Sequence, residues 1–134
     1  AELPELAIDG YDLRPLLFGD EATQSPRKHF YCYYDQNSLQ AVRSERWKLH
    51  LPHAYRTLSG RKGGTGGQPV RYDTAQIGLS LYDLDKDISE SVDVSSQHPE
   101  IVKQLLEVAA QAREELGDAK SPVKGKGIRQ PGRL

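Results

Sequence analysis

Three short apolar runs separated by turn-forming residues dominate the first half of the chain. The run at residues 29–34 is strongly aromatic, and the run at 38–43 is mostly small and aliphatic. The run at 46–51 alternates with a period of two, which places its apolar residues on one face and Lys48 and His50 on the other. Consecutive strands joined by tight turns predict an antiparallel meander with one packed face and one polar face.

A fourth strand and one long helix complete the predicted elements. The strand is predicted at residues 79–84. The helix is predicted to begin near Pro99 and to run to about Leu116, with Gly117 just beyond it. Its apolar residues recur at intervals of three and four, so they form one stripe that can cover a sheet face. The fold class is therefore α+β: a small antiparallel sheet of about four strands covered by one C-terminal helix.

The pattern divides the chain into three regions. Residues 1–28 are predicted to be a connecting segment with a short helix, residues 29–117 the folded unit, and residues 118–134 a basic extended tail. Within the folded unit, residues 53–76 lose the alternation and carry five glycines, which predicts a flexible loop.

Length and charge exclude several classes of protein. A chain of 134 residues has room for one domain, and its net charge of -1 gives no general attraction to nucleic acid or to an anionic membrane. The basic tail lacks the interleaved aromatic residues that stack on bases, and no run of apolar residues is long enough to span a membrane. We therefore expect neither a nucleic-acid nor a membrane partner. The absence of methionine indicates a processed or excised chain, and one cysteine leaves the compartment open.

The candidate chemistry is concentrated around two histidines. His50 and His53 form a His-x-x-His pair, but no third metal ligand lies at a useful spacing. His53 is followed by Tyr55 and Arg56, a grouping suited to holding a sulfate, phosphate or carboxylate, although an ordinary loop histidine is an equal alternative. Cys32 lies in an aromatic strand with no basic neighbour, so a structural cysteine is the simpler interpretation. No complete catalytic motif is present.

Five segments in order resemble the C-terminal subdomain of the sulfatase family, of the arylsulfatase type. Residues 8–19 read IDGYDLRPLLFG, residues 25–27 read SPR, and residues 41–49 read AVRSERWKL. Residues 81–90 read LYDLDKDISE, and a helix follows His98. The chain departs from the family pattern where Glu45, Ile88 and Asp93 stand in place of the usual glycine, proline and asparagine.

The resemblance implies a fragment of a sulfuric ester hydrolase with an alkaline-phosphatase-like α/β fold. Such enzymes use a formylglycine and a calcium ion, and Cys32 does not lie in the motif that is converted to formylglycine. The catalytic and metal-binding residues would therefore belong to an N-terminal catalytic domain, which is the implied partner of this chain. The parent enzyme as a whole would bind the sulfate ester. By position, His53 and then Arg56 are the implied substrate contacts. A periplasmic or secreted parent is compatible with the family.

An alternative of a different class is a free-standing module that binds sulfated glycans or other anions. The region between residues 43 and 71 has seven basic residues against one acid, which gives it a local positive charge. Five of these cations would carry the binding: Arg43, Lys48, Arg56, Arg61 and Lys62.

Overall fold

The computed structural model describes residues 10–19 and 23–128. Its elements in chain order are α1 (Arg14–Phe18), β1 (His29–Tyr34), β2 (Ser38–Ser44), β3 (Trp47–His50), β4 (His53–Thr57), β5 (Asp73–Ile77), β6 (Ser80–Asp83) and α2 (Pro99–Leu116). The parts of the predicted connecting segment and tail at 1–9, 20–22 and 129–134 lie outside the described residues.

The core is a four-stranded antiparallel sheet in the order β1-β2-β3-β6, with α2 packed on one face. The α+β fold predicted from the pattern is confirmed, as are the bounds of the helix. Buried apolar residues of the sheet meet the stripe of α2. The core cluster consists of Leu39, Val42, Leu49, Leu51, Leu81, Leu105, Ala109 and Ala112.

A β-bulge allows β2 to place two residues on the helix side at an odd spacing. Cys32 pairs with Ala41, but the next residue of β1 pairs with Leu39, so Gln40 is the extra residue on β2. Leu39 and Val42 lie three positions apart, which in a regular strand would put them on opposite faces. With the bulge both are buried in the core under α2.

The segment predicted as a flexible loop at 53–76 is not a loop throughout. Strands β4 and β5 pair antiparallel at its two ends, from His53 opposite Ile77 to Thr57 opposite Asp73. The glycine cluster occupies the connection between them, with Gly66 and Gly67 at positive φ. Glycine is typical of the turn of this hairpin. The many glycines there led to the prediction of a loop for the whole segment, including the short polar strands on either side.

The tail predicted to be extended folds back on α2 over its described part, residues 118–128. Gly117 turns the chain with φ 75°, and the amides of Lys126 and Gly127 donate to the last turn of the helix. Gly125 lies so close to the backbone of Gly117 that a Cβ would collide with it. The basic composition predicted that the tail would extend into solvent. Instead, backbone hydrogen bonds to the unpaired carbonyls at the end of the helix hold it against α2.

Asp118 joins the tail, the helix and the sheet. Its carboxylate accepts hydrogen bonds from the Arg113 guanidinium at 2.8 Å, the Lys120 amide at 3.0 Å and the Leu39 amide at 3.3 Å. Burial alone would raise the pKa of Asp118, but these three donors outweigh it and hold the pKa below its usual value.

Within the part of the chain that the structure describes, no helix combines the length and apolar character that crossing a bilayer requires.

We expect Asp118→Ala to lower the free energy of unfolding by about 2 to 3 kcal/mol, because it leaves the buried Leu39 amide and Arg113 without their acceptor. Urea unfolding followed by circular dichroism measures this loss. Asp85→Ala is the control, since Asp85 is exposed and its carboxylate has no hydrogen-bond or ion-pair partner among the described residues. Equal stability of the two variants would contradict the role given to Asp118.

Candidate functional site

The sheet face away from α2 carries the polar side chains that strand alternation excludes from the core. Cross-strand partners share a face, so the register defines two rows of neighbours on this side. One row is Phe30, Arg43, Lys48 and Tyr82, and the other is Cys32, Ala41, His50 and Ser80. The face predicted to be polar therefore holds two bases of β3 beside a buried tyrosine.

Glu90 bridges the two basic side chains of β3. One carboxylate oxygen lies 2.6 Å from Lys48 Nζ, and the other lies 2.6 Å from His50 Nε2. A carboxylate only accepts, so Nε2 of His50 carries the proton. The buried Nδ1 of the same ring has no hydrogen-bond partner among the described residues.

A compact loop after β6 presents Glu90 to the sheet. Asp87 accepts hydrogen bonds from the amides of Ser91 at 2.7 Å and Val92 at 2.8 Å, and from the hydroxyls of Ser89 and Ser91. The Val92 amide is the strongest of the influences that lower the pKa of Asp87 to about 2. Glu90 itself has φ 55°, a left-handed conformation that costs a non-glycine residue energy. The loop therefore holds this side chain in place against local strain.

Burial and the neighbouring charges set the protonation of the bridge. Burial lowers the pKa of His50 and outweighs the hydrogen bond to Glu90, which favours the charged ring. Burial alone would raise the pKa of Glu90, but the hydrogen bonds from Lys48 and His50 outweigh it and lower that pKa. The cluster is therefore a Lys48–Glu90 ion pair beside a neutral imidazole.

His53 lies at the start of β4 with its ring stacked on that of His50, at a centroid distance of 5.4 Å and an interplanar angle of 17°. Its Nδ1 donates to the Leu51 carbonyl at 2.7 Å, so in the neutral ring Nε2 is left as an acceptor. Both rings line a cavity of about 370 Å³ between the sheet and the hairpin. Its walls are His50, His53, Tyr55, Ile77, Tyr82, Ser89 and Glu90.

The structure does not bring the two predicted site residues together. His53 is buried and lines the cavity, whereas Arg56 is exposed and is absent from its walls. The two residues are three positions apart on β4, so strand alternation sends their side chains to opposite faces. The grouping of His53, Tyr55 and Arg56 assumed a loop, and only the first two residues share this cavity.

The five cations of the alternative module are also divided. Arg43 and Lys48 lie on the sheet, and Lys48 is neutralised by Glu90. The other three belong to the hairpin or its connection, where Arg61 pairs with Asp73 at 2.8 Å. The five cations are therefore divided between the four-stranded sheet and the hairpin, and two of them, Lys48 and Arg61, are already paired with carboxylates.

The described residues do not build a metal centre. They contain no group of three or more His, Cys, Asp or Glu side chains arranged to hold a metal ion. In the His-x-x-His pair, His50 Nε2 is engaged by Glu90, and His53 Nδ1 is engaged by a carbonyl.

Sequence reasoning missed Glu90 and Tyr82 as members of the site. Glu90 lies 40 positions from His50. It reaches His50 because Glu90 itself adopts a left-handed conformation, which in a sequence is usually indicated by a glycine. Tyr82 was assigned only to a strand. The available signal was the register, since Tyr82 pairs with Lys48 and so shares its face.

Comparison with known proteins covers nearly all of this fold. A family model described as the C-terminal region of aryl-sulfatase matches residues 25–130. The chain is also similar to arylsulfatase A of Homo sapiens, with 28% identity over 118 residues, which is 81% of this chain and 22% of the relative. Arylsulfatase A of Bos taurus is 28% identical over 117 residues, 83% of this chain and 22% of the relative. The chain therefore spans about a fifth of the length of these curated relatives.

The partly buried imidazole of His50 predicts that the fold loses stability in mild acid. The pKa of His50 lies below 6.5 in the folded chain, so below pH 6.5 the unfolded chain binds a proton that the folded chain does not. The free energy of unfolding should therefore fall as the pH decreases below 6.5. His50→Gln keeps a donor for Glu90 but does not titrate, so urea unfolding across this pH range should show a shallower dependence. An unchanged slope in the variant would contradict the assignment.

Proposed function

Because the chain belongs to the family of C-terminal regions of aryl-sulfatases, we propose that it is the accessory lobe of a sulfuric ester hydrolase. In this proposal it packs on an N-terminal catalytic domain and lends one wall to the substrate pocket. The observation that supports it most directly is the cavity at His53, which lies on the sheet face that α2 leaves uncovered.

The chemical step is assigned to the catalytic domain. A formylglycine would supply the nucleophilic oxygen, and calcium would offset the negative charge that develops on the sulfate group. The described residues of this chain do not fit calcium, because no suitable cluster of ligands is present among them. Cys32, the one cysteine, is half-buried in the sheet, and burial raises the pKa of its thiol. The chain therefore contributes binding and shape to the reaction.

His53 is the proposed contact with the sulfate ester. Its Nδ1 is held by the Leu51 carbonyl and its ring by the stacked His50, so the orientation of Nε2 is fixed before a ligand arrives. Nε2 accepts a hydrogen bond from a hydroxyl when the ring is neutral, and donates to an ester oxygen when it is protonated. Tyr55 and Tyr82 line the same cavity and supply flat apolar surface.

Arg56 is proposed as the lesser contact. Its guanidinium lies on the other side of β4 from the cavity, so it would meet a substrate only where the ligand extends around the hairpin. The positive charge of Arg56 would attract an anionic ligand without direct contact, and added salt would weaken this attraction.

Helix α1 is the proposed docking element for the catalytic domain. None of its five residues is buried within the described fold, although four of them are apolar or proline. Leu17 is 70% exposed and Phe18 is 85% exposed. Adjacent large apolar side chains in water mark a contact surface, and the family implies a large catalytic domain as the partner.

Steady-state kinetics of the full-length protein on a small aryl sulfate test the role of His53. His53→Asn keeps a donor to the Leu51 carbonyl at the position of Nδ1 but removes Nε2. We expect kcat/KM to fall about tenfold, equivalent to about 1.4 kcal/mol. Arg56→Ala should lose less, because its side chain lies outside the cavity. Wild-type kinetics in His53→Asn, with an unchanged melting temperature, would reduce His53 to a structural residue.

Two thermal-unfolding measurements test the docking surface. The double variant Leu17→Ser and Phe18→Ser should lower the melting temperature of the full-length protein, because these side chains would be buried against the catalytic domain. In the isolated chain the same change should have little effect, since both residues are already exposed there. Equal shifts in the two proteins would place the contact elsewhere.

A further inference from the structure

A second cavity lies where the chain enters the sheet, at the start of β1. Its volume is about 340 Å³. The residues around it are Arg27, Lys28, His29, Phe30, Arg43 and Glu45. It is separate from the cavity at His53, with which it shares no lining residue.

Two cations of this second cavity, Lys28 and Arg43, give it positive charge. The one carboxylate in the lining, that of Glu45, does not neutralise Arg43, whose Nε donates to the backbone carbonyl of Glu45 at 3.2 Å. Among the described residues, neither Lys28 nor Arg43 has an ion-pair partner. Lys48 and Arg61 differ, since each is paired with a carboxylate. The terminal donors of Arg43 and the ammonium of Lys28 are therefore left for a ligand.

The backbone around these donors is held in place. Phe30 and Arg43 are direct partners across β1 and β2, so their side chains lie next to each other on one face. The Ser44 hydroxyl donates to the Lys28 carbonyl at 3.4 Å. The guanidinium of Arg27 lies over the ring of Tyr11, with its carbon 4.9 Å from the centroid. A cationic pocket built on a strand pair is better ordered than a charged loop.

His29 and Phe30 complete the lining. The Nδ1 atom of His29 is buried and has no hydrogen-bond partner among the described residues, so the polar capacity of this ring is not used within the fold. Phe30 is 56% exposed and gives the pocket an apolar wall beside the cations. Planar guanidinium donors next to an apolar wall suit an oxyanion carried on a larger organic ligand.

We propose that this pocket binds an oxyanion group, of which sulfate is the form to test, as a second subsite beside the His53 cavity. Arg43 is the register neighbour of Lys48, whose strand borders β6 and the first cavity. The strand pair β1–β2 of this pocket is displaced by two strand spacings, roughly 10 Å, from the pair β3–β6 that borders the first cavity. Phe30 and Arg43 share the sheet face of Lys48 and Tyr82. A ligand with two sulfate groups would reach both, and this last step rests on the function proposed above.

Binding to the full-length protein tests the subsite without turnover. The probes are inorganic sulfate and a fluorescent sulfated hexasaccharide, with the desulfated hexasaccharide as the negative probe. The test variant is Lys28→Gln with Arg43→Gln. The matched control is Lys103→Gln with Lys124→Gln, which removes the same charge from two exposed positions elsewhere.

We expect the pocket variant to bind the sulfated hexasaccharide about tenfold more weakly or worse, and the control to change by less than about twofold. If the pocket variant also binds inorganic sulfate more weakly, the free ion is a ligand of the same site. If only binding of the hexasaccharide is weakened, the ligand is a sulfate group carried on a saccharide. Equal losses in the pocket variant and the control, or equal binding of the desulfated probe, would overturn the proposal. Turnover of a small aryl sulfate by the pocket variant should stay at the wild-type level, so failure of the subsite and failure of the proposed enzymatic function give different results.

Discussion

The packing of α2 on one face of the four-stranded sheet determines where the other features of the lobe lie. Ala109 and Ala112 are fully buried and let the helix backbone approach the sheet closely. Since side chains alternate along a strand, burying Leu49 and Leu81 under the helix places Lys48 and Tyr82 on the opposite face. The uncovered polar face, with its two cavities, is a direct consequence of the buried one.

Two carboxylates secure this arrangement beyond the apolar core. Asp118 ties the end of α2 and the following chain to β2 through the Leu39 amide. Asp93 accepts from the Leu81 amide at 3.0 Å, and Val94 donates to the Leu81 carbonyl at 2.9 Å, so the outer edge of β6 is satisfied by the loop that carries Glu90. The same loop therefore protects the sheet edge and positions a charged group over the sheet face.

The sequence contained enough information for the meander and the helix, because both depend on periodic burial. Alternation in β3 and the three- and four-residue spacing in α2 are local signals. The hairpin of β4 and β5 was missed since its strands are short and polar and a glycine-rich connection separates them. The fold-back after Gly117 was missed because it depends on hydrogen bonds to the helix end, which composition does not show.

The candidate site was predictable only where neighbours in sequence are neighbours in space. His53 was identified because Tyr55 and Arg56 follow it, and of these two residues Tyr55 does share its cavity. Arg56 was grouped with His53 by adjacency, which strand alternation then separates. Glu90 joins the site through a left-handed turn far along the chain, and a non-glycine residue gives little warning of such a turn.

Complementation tests the central claim, that this lobe completes a sulfatase whose chemistry lies in another domain. The catalytic region of the parent and this chain would be prepared separately, and hydrolysis of an aryl sulfate would be measured with calcium for each part and for the mixture. The account predicts no turnover by this chain and a gain of activity when it is added to the catalytic region. Turnover by this chain in the absence of the catalytic region would contradict it.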